Sequence, residues 1–371
     1  MKENRLRLTK LSIRGFKSID TNEGVDLNFG DITLLMGANG AGKSNIVSFF
    51  TMLNYMMSGG FQRYIKQYGT SQVFLHYGSN TTKAIKGELI FENDQDKDIY
   101  TFTLDYAAGD KLLITNEEVG WSHNGQDPYK SNPKGGYEES GLFNTTGETE
   151  RIVKRLISEC RVFQFHDSSA TGPLRQNSNV ESANYLRANG GNIAAFLYHL
   201  KKHFPMNYQT IVQYVRRIIP QFGDFILEPA STGMVLLKWQ DRFQPDYVML
   251  PHQLSDGSIR FIALATLLLQ PEETIPNVII IDEPELGLHP IAIEYLSEMM
   301  QQVPCSTQLI IATQSPSLID KFTPEQVAII EFNEDTFSTC VKRLSSEKLG
   351  VWLEDYTMSE LWTKNVIEGR P

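Results

Sequence analysis

Apolar and polar positions recur along the first third of the chain with two different periods. Residues 6–13 place an apolar side chain at roughly every second position, which predicts a strand with one buried face. The run 31–36, "DITLLM", is mostly apolar and predicts a short strand buried on both faces. Residues 46–53 switch to helical spacing, whereas residues 73–121 return to the two-residue period of β-structure.

The pattern then predicts a loop, an insertion and a compact α/β segment. Residues 122–150 are rich in Gly, Asn, Pro and Ser and predict a loop. Within 167–250, Asn192 and Asn207 are each expected to cap a helix, and two short β segments follow. From residue 254 onwards, apolar helices alternate with short apolar strands, which is typical of an α/β fold.

Composition restricts the class of protein further. The 371 residues, 41% of them hydrophobic, suffice for two or three domains, and the net charge of −10 argues against a generic DNA-binding surface. Cys160, Cys305 and Cys340 lie too far apart for a zinc motif or a disulfide framework. Neither a signal peptide nor an apolar run of membrane-spanning length is present, so we expect a cytoplasmic protein that does not contact a membrane.

The stretch "GANGAGKSN" has the spacing of a phosphate-binding loop and lies between the predicted strand and helix. Backbone N–H groups and the start of a helix attract polyphosphate, Lys43 would reach the β- and γ-phosphates, and the Ser44 hydroxyl would bind Mg²⁺. A plain glycine-rich turn is the less favoured alternative. The expected cofactors are therefore ATP and Mg²⁺, and the expected nucleotide-binding residues of this loop are Gly37, Ala38, Asn39, Gly40, Ala41, Gly42, Lys43, Ser44 and Asn45.

Two further motifs extend the prediction. In "IIIDEP", Asp282 ends an apolar strand and is expected to orient the Mg²⁺ shell, while Glu283 points elsewhere and suits a general base. An ordinary pair of acids at a strand end is the alternative.

In "LSDGSIR", Ser255 or Asp256 can cap a helix, and Gly257 lets a ligand approach the backbone. A plain capped helix is possible here. However, the chain has two loops suited to bind phosphate, and only the first of them carries a lysine. This favours a signature loop that closes on a nucleotide held by another copy.

Together with "ELGLHP", these motifs resemble the ABC ATPases and, more narrowly, the SMC/RecF/OLD-like branch that works on DNA. The opening "LSIRGFKSI" resembles the first strand pair of that branch, and the tail "VWLEDYTMSELW" is similar to stand-alone predicted ATPases without a fused nuclease. The resemblance covers roughly 1–60 and 250–345. It implies an α/β P-loop NTPase of the ABC and SMC-head type, with a mixed β-sheet lobe and an inserted, mainly helical subdomain.

The domain organisation expected from the motifs has four parts. They are a first ATPase lobe at 1–166 with the phosphate loop and an antiparallel β region, an insertion at 167–250, a second lobe at 251–345 with the signature, acidic strand and switch, and a tail at 346–371.

The resemblance also implies roles for single residues. Asn39 would contact the γ-phosphate, and Ser255 and Gly257 would meet the γ-phosphate held by the partner copy. Gln164 would link the metal to the insertion, although it could equally be a polar strand residue. Glu283, Gln314 and Lys43 are the expected catalytic residues, and Ser44, Asp282 and Gln164 the expected metal ligands.

Two segments keep alternatives open. Lys17 and Ser18 would lie by the nucleotide or form a plain turn. Residues 285–289 would cross the dimer interface, where a structural contact is favoured over a catalytic role for His289.

Gln314 stands where transporter-type ATPases have a histidine. Glutamine can donate a hydrogen bond to the γ-phosphate but cannot carry a proton, so turnover is expected to be slow or gated by a partner.

The leading hypothesis is an ATP-hydrolysing homodimer that transmits closure to DNA or to a separate effector, for which a nuclease is the candidate, in DNA repair or antiviral defence. DNA would bind through residues 151–217, which hold ten Lys/Arg against three acids, although a solvated basic face is an equal alternative. We expect neither a fused nuclease nor a coiled-coil arm. The alternatives are the ATPase subunit of a membrane transporter, an ATP-sensing scaffold with little hydrolysis and, with least support, a kinase.

Overall fold

The computed structural model describes residues 5–133 and 138–367. The predicted loop at 122–150 and the predicted tail at 346–371 each extend beyond these described residues. Within the described part of the first, a short strand is present at Tyr129–Ser131 and a helix begins at Glu148, so the loop is shorter than expected.

Contacts divide the chain into two compact units. The first unit comprises Met1–Val162, Asn277–Ile280 and Gln308–Pro371. The second unit comprises Phe163–Pro276 and Ile281–Thr307. These limits differ from the four-part division expected from the motifs, which stays a prediction.

The strands and α-helices of the described residues are numbered in chain order. The strands are β1 (Arg7–Arg14), β2 (Val25–Asn28), β3 (Ile32–Met36), β4 (Ala84–Glu92), β5 (Asp96–Ala107), β6 (Lys111–His123), β7 (Tyr129–Ser131), β8 (Cys160–Phe163), β9 (Ser178–Asn179), β10 (Phe222–Ile226), β11 (Met234–Val235), β12 (Lys238–Asp241), β13 (Val248–Met249), β14 (Val278–Asp282), β15 (Gln308–Thr313), β16 (Val327–Asn333) and β17 (Ser338–Arg343). The helices are α1 (Lys43–Met57), α2 (Phe61–Gln67), α3 (Gly78–Thr81), α4 (Glu148–Ser158), α5 (Ile193–His203), α6 (Pro205–Ile218), α7 (Asp256–Leu268), α8 (Pro290–Gln301), α9 (Pro316–Ile319), α10 (Ser346–Asp355) and α11 (Met358–Thr363).

The first unit contains an antiparallel sheet with the strand order β2-β1-β4-β5-β6-β7. Burial alternates along β4 and along most of β5, which confirms the period-two prediction for this part of the chain. The predicted β-region begins later than expected, because residues 71–74 form a 3₁₀-helix and α3 follows it.

A second six-stranded sheet has the order β17-β16-β3-β15-β14-β8 and is mixed. Both β15 and β16 run parallel to β3, whereas β17 is antiparallel to β16. Met36 and Thr313, the last residues of β3 and β15, are register partners. The phosphate loop and Gln314, which directly follow these two residues, therefore leave the same edge of the sheet.

Helix α1 is the centre of the first unit's core. Phe49 stacks on Phe102 of β5 at 5.9 Å between ring centroids and meets Phe16 edge-on at 5.3 Å. Gly87 of β4 is necessary at this contact, because a Cβ there would lie 2.8 Å from the Phe49 ring. The aromatic contacts of Phe49 thereby fix the middle of the helix that begins with Lys43.

The second unit is mainly helical, with two small antiparallel sheets, β10-β12-β13 and β11-β9. Helix α7 packs against α5, α6 and α8 and is buried over nearly all its apolar residues. Asn192 is the N-cap residue of α5 as expected, but its side chain bonds to Ser182, Tyr185 and Arg187 instead of capping the helix. The prediction that Asn207 caps the next helix was wrong. Helix α6 starts at Pro205, whose fixed φ favours the first helical position, and the Asn207 amide instead donates to the Leu269 carbonyl oxygen.

Candidate nucleotide-binding site

Glycines shape the phosphate loop between β3 and α1 for different reasons. A Cβ at Gly37 would collide with the Ile330 carbonyl oxygen, and one at Gly42 would collide with the Thr339 hydroxyl. Gly40 instead has a left-handed φ of 82° and no other group within 4 Å of its Cβ position. The loop is thus packed tightly on one side and open at Gly40, as a cradle for phosphate requires.

A chain of hydrogen bonds supports the loop from β17. The Asn45 amide donates to the Ser18 hydroxyl at 2.6 Å, and the hydroxyls of Ser18 and Thr339 are 2.7 Å apart. Thr339 in turn donates to the Ala41 carbonyl oxygen at 2.9 Å. Asn45 and Ser18, both considered for the nucleotide, therefore hold the loop backbone, and Thr339 is a supporting residue for which the sequence carried no signal.

Lys43 and Ser44 begin α1 without a side-chain cap in front of them, because the N-cap residue is Gly42. The buried Lys43 ammonium donates to the carbonyl oxygens of Gly37 and Ala38, both at 2.8 Å. Ser44 is exposed in the first turn, and Asn39 is exposed in the loop. The start of α1 therefore offers N–H groups, an ammonium and a hydroxyl to a polyphosphate, and its residues fit ATP.

Lys17 takes a different position from the one expected of a nucleotide contact. Its φ of 51° is left-handed, and its ammonium donates to the Ser48 hydroxyl at 2.8 Å. The rings of Phe16, Tyr68 and Phe74 lie 5.3–5.8 Å from the same nitrogen. Burial lowers the Lys17 pKa. Lys17 thus ties the turn after β1 to α1.

The acidic pair lies at the end of β14 in the second unit. Asp282 is buried, and its carbonyl oxygen accepts a hydrogen bond from His166 Nε2 at 3.0 Å. Glu283, which is half-buried, has a left-handed φ of 46°. A non-glycine residue pays a strain penalty in this region, and such outliers concentrate at functional positions. Tyr77 and Phe337, among others, share this left-handed conformation, so the catalytic role of Glu283 stays a prediction.

The signature loop is fixed in front of α7 by one buried arginine. Ser255 is the N-cap of α7, and its hydroxyl accepts from the Ser258 N–H at 3.1 Å. Arg175 donates to the carbonyl oxygens of Pro251 and Leu254, and its guanidinium lies 2.8 Å from an Asp256 carboxylate oxygen. The loop that carries Ser255 is therefore held from behind while Ser255 itself stays exposed.

The remaining predicted positions directly follow strands or precede helices. Gln164 is exposed after β8, and its N–H donates to the Ala188 carbonyl oxygen. Gln314 follows β15 and directly precedes Ser315, the N-cap of α9. His289 is the N-cap of α8, with its Nδ1 accepting from the Ile291 N–H at 3.3 Å. This contact agrees with the structural role favoured for His289.

The donor set expected for Mg²⁺ combines the Ser44 hydroxyl, the Gln164 amide and the Asp282 carboxylate. Oxygen ligands of this kind suit Mg²⁺, which usually keeps water and substrate phosphates in its shell rather than filling it with protein carboxylates. Among residues 5–133 and 138–367, no group of three or more His, Cys, Asp or Glu side chains could hold a metal. Each of the three side chains carries an oxygen donor that suits Mg²⁺, but Ser44 belongs to the first unit and Gln164 and Asp282 to the second, so the three as one metal site stay a prediction.

The basic residues of 151–217 are distributed over both units. Those up to Arg161 belong to the first unit, and those from Arg175 onwards belong to the second. Four of the ten face carboxylates within the ion-pair distance, namely Arg161, Arg175, Lys201 and Arg217. The count along the sequence thus overstates the unpaired positive charge. In the part of the chain that the structure covers, no helix is long and apolar enough to cross a bilayer.

The fold and the phosphate loop define an ATPase of the ABC and SMC P-loop type. Residues 32–320 match the family described as "AAA domain, putative AbiEii toxin, Type IV TA system". Since this match covers more than half of the chain, the protein belongs to that family.

Solved structures agree with this assignment at the level of the fold. The SMC head bound to the C-winged helix domain of ScpA has a TM-score of 0.61 and 17% identity, covering 93% of this chain and 99% of that one. The Smc head with an extended coiled coil, bound to the C-terminal domain of ScpA derived from Pyrococcus furiosus, has a TM-score of 0.59 and 15% identity, covering 95% and 99%.

One sequence relative matches a smaller share of the chain. The "Putative ABC transporter ATP-binding protein" of Mycoplasma genitalium is 25% identical over 175 residues, which are 43% of this chain and 48% of that protein. The chain thus matches about half the length of this relative.

Proposed function

We propose that the chain is a Mg²⁺-dependent ATP hydrolase that forms a homodimer around ATP and transmits closure to DNA or to a separate effector protein. The observation that supports this proposal most is that the chain has two helix N-termini that could bind a phosphate, and that these N-termini are of different kinds. Helix α1 begins with a lysine and no side-chain cap, whereas α7 begins with an exposed, capping serine. Two copies related by a twofold axis would combine one start of each kind on each nucleotide.

Each residue has a defined task in this proposal. Lys43 would exchange its contacts to the Gly37 and Ala38 carbonyl oxygens for the β- and γ-phosphates. Ser44, Asp282 and Gln164 would hold Mg²⁺, which supplies charge neutralisation at the phosphates when bound. Glu283 would accept the proton of the attacking water.

Two further contacts would sense the γ-phosphate. Gln314 would donate a hydrogen bond to it from the edge of the sheet beside the phosphate loop. Ser255 and Gly257 of one copy would cover the γ-phosphate held by the other copy, which makes closure depend on ATP. Hydrolysis would remove that ligand and release the dimer.

The test uses Glu283→Gln, which keeps the size of the side chain and removes the base. We expect this variant to form a dimer in light-scattering chromatography when ATP and Mg²⁺ are present, and to remain a monomer with ADP. Lys43→Ala in the Glu283→Gln background is the control, because it should lose the dimer by losing ATP. A Glu283→Gln variant that stays monomeric with ATP and Mg²⁺ would refute the sandwich.

The proposed function includes a separate partner protein. The two SMC heads described above are bound to domains of another protein, ScpA. We propose by analogy that this chain also acts through a protein partner, with a nuclease in repair or antiviral defence as the candidate. Affinity purification of the Glu283→Gln variant with ATP tests this, since the closed state should retain the partner and the ADP-bound state should not.

A second candidate function is an ATP-sensing scaffold with little hydrolysis. It is favoured by Gln314, whose amide can hydrogen-bond but cannot carry a proton. Steady-state phosphate release, measured with and without duplex DNA at low and physiological salt, separates the two. A closed dimer without measurable release under any of these conditions would favour the scaffold.

A further inference from the structure

Arg260 lies in the second turn of α7, close behind the signature loop, and contacts two other loops of the same unit. Its guanidinium donates through Nε to the Phe165 carbonyl oxygen at 3.2 Å and through Nη2 to the His166 carbonyl oxygen at 2.7 Å. Through Nη1 it donates to the Leu286 carbonyl oxygen at 3.0 Å. One side chain therefore joins the segment after Gln164, the loop after Glu283 and the signature helix.

Two glycines allow this approach. Gly287 has a left-handed φ of 74°, and a Cβ there would lie 2.7 Å from Arg260 Nη1. A Cβ at Gly257 would lie 2.5 Å from the Gly287 carbonyl oxygen. The first turn of α7 and the loop after Glu283 thus touch backbone to backbone, and any side chain at either glycine would separate them.

The third side of this arrangement is closed by a histidine. His166 Nε2 donates to the Asp282 carbonyl oxygen at 3.0 Å. The segment 164–166 is therefore joined to the acidic strand directly and to α7 through Arg260. The three segments form a closed circuit of contacts, so a shift of one must move or break its contacts with the other two.

The chemistry of these contacts requires an arginine. Within the described chain, no carboxylate pairs with Arg260, and the acceptors of its side-chain hydrogen bonds are backbone carbonyl oxygens. A planar guanidinium can direct donors to three acceptors in different directions, whereas a lysine ammonium acts as a single point of charge. A guanidinium used only on backbone carbonyl groups fixes geometry rather than neutralising an acid.

We propose that Arg260 is a positioning residue that couples the signature loop to Glu283 and Gln164. The proposal deepens the proposed function and rests on it for the meaning of the three segments. When a partner's γ-phosphate engages Ser255 and Gly257, the circuit through Arg260 would set the loop after Glu283 and the segment of Gln164 in their working positions. Closure and hydrolysis would thereby be linked inside the second unit.

The test compares Arg260→Ala, Arg260→Lys and Gly287→Ala with wild type and with Arg216→Ala in the full chain. Arg216 is the matched control, since it is an arginine of the same unit that also donates to a backbone carbonyl oxygen, that of Gly223. We expect the three test variants to bind a fluorescent ATP analogue within about twofold of wild type and to lose about a hundredfold in kcat. Guanidinium at millimolar concentration should partly restore kcat of Arg260→Ala only.

A second measurement does not depend on hydrolysis. Hydrogen exchange of Arg260→Ala should accelerate together in 165–168, 255–260 and 284–289, but not in the phosphate loop. Unchanged exchange in any of the three segments would overturn the proposal, as would wild-type kcat in Arg260→Ala. A loss of thermal stability equal to that of Arg216→Ala, without rescue by guanidinium, would show a merely structural role. If wild type itself neither hydrolyses ATP nor dimerises, the proposed function fails, and the exchange result still decides whether Arg260 couples the segments.

Discussion

The Thr339 hydroxyl donates a hydrogen bond to the Ala41 carbonyl oxygen at 2.9 Å, across 298 positions of the chain. A Cβ at Gly42 would collide with the same hydroxyl. The phosphate loop therefore rests on β17, a strand from the far end of the chain. The geometry of the loop depends on this strand as much as on its own glycines.

Thr339→Val keeps the shape of the side chain and removes the hydroxyl. It leaves the buried Ala41 carbonyl oxygen without this donor, so we expect about 1–3 kcal/mol of lost stability. Affinity for a fluorescent ATP analogue should fall about tenfold, since the loop loses its support. Thr339→Ser retains the hydroxyl and should stay near wild type in both measurements. Equal behaviour of the two variants would contradict a role for the hydroxyl.

The buried Arg175 is the corresponding support of the signature loop. Arg175→Met removes its bonds to Pro251, Leu254 and Asp256 while filling much of the space, and we expect a loss of about 2–4 kcal/mol in denaturant unfolding. In the Glu283→Gln background the ATP-dependent dimer should disappear although ATP still binds. Arg187, which is exposed, provides the control Arg187→Met. A dimer that survives Arg175→Met would show that the loop keeps its shape without the guanidinium.

These two supports also show what could be predicted from the sequence. The strand, loop and helix around Gly37–Ser44 follow from local spacing, and the structure has them in the predicted order. Thr339 bonds to a loop residue 298 positions away in the sequence, and Arg175 bonds to residues 76–81 positions away. No local sequence pattern therefore indicates these partners. Arg175 even entered the count of DNA-binding charge, because a sequence does not reveal which cations are buried. Likewise, Asn207 has the side chain of a helix cap, but Pro205 favours the first helical position and the helix begins two residues earlier.

The left-handed backbone of Glu283 leads to a prediction about stability and activity together. Glu283→Gly should relieve strain that costs a non-glycine residue about 1–2 kcal/mol, partly offset by the greater freedom of glycine in the unfolded chain. We therefore expect a stability gain of about 1 kcal/mol with loss of ATP hydrolysis. Glu283→Gln should lose hydrolysis without the gain. Thermal unfolding and phosphate release decide this, and a Glu283→Gly variant that is less stable than Glu283→Gln would contradict the strain.

Asp98 of β5 gives a prediction about pH. It is buried, neither of its carboxylate oxygens has a hydrogen-bond partner among the described residues, and burial with the nearby Asp96 charge raises its pKa to about 6. The folded state then binds a proton more tightly than the unfolded state. The stability contribution of Asp98 is therefore fully present below about pH 4, and it is lost as the pH rises to about 6.

Asp98→Asn removes this titration. The free energy of unfolding of Asp98→Asn minus that of wild type should rise by about 2–3 kcal/mol between pH 4 and pH 6 and stay level above it, because only wild type must ionise a buried carboxyl group. Urea unfolding at a series of pH values measures this difference. Asp94 is exposed in the turn before β5, so the control variant Asp94→Asn should change the free energy of unfolding little at pH 7. A difference for Asp98→Asn that is constant across this range would mean that Asp98 ionises as easily in the folded protein as in the unfolded chain, and that water reaches it within the sheet.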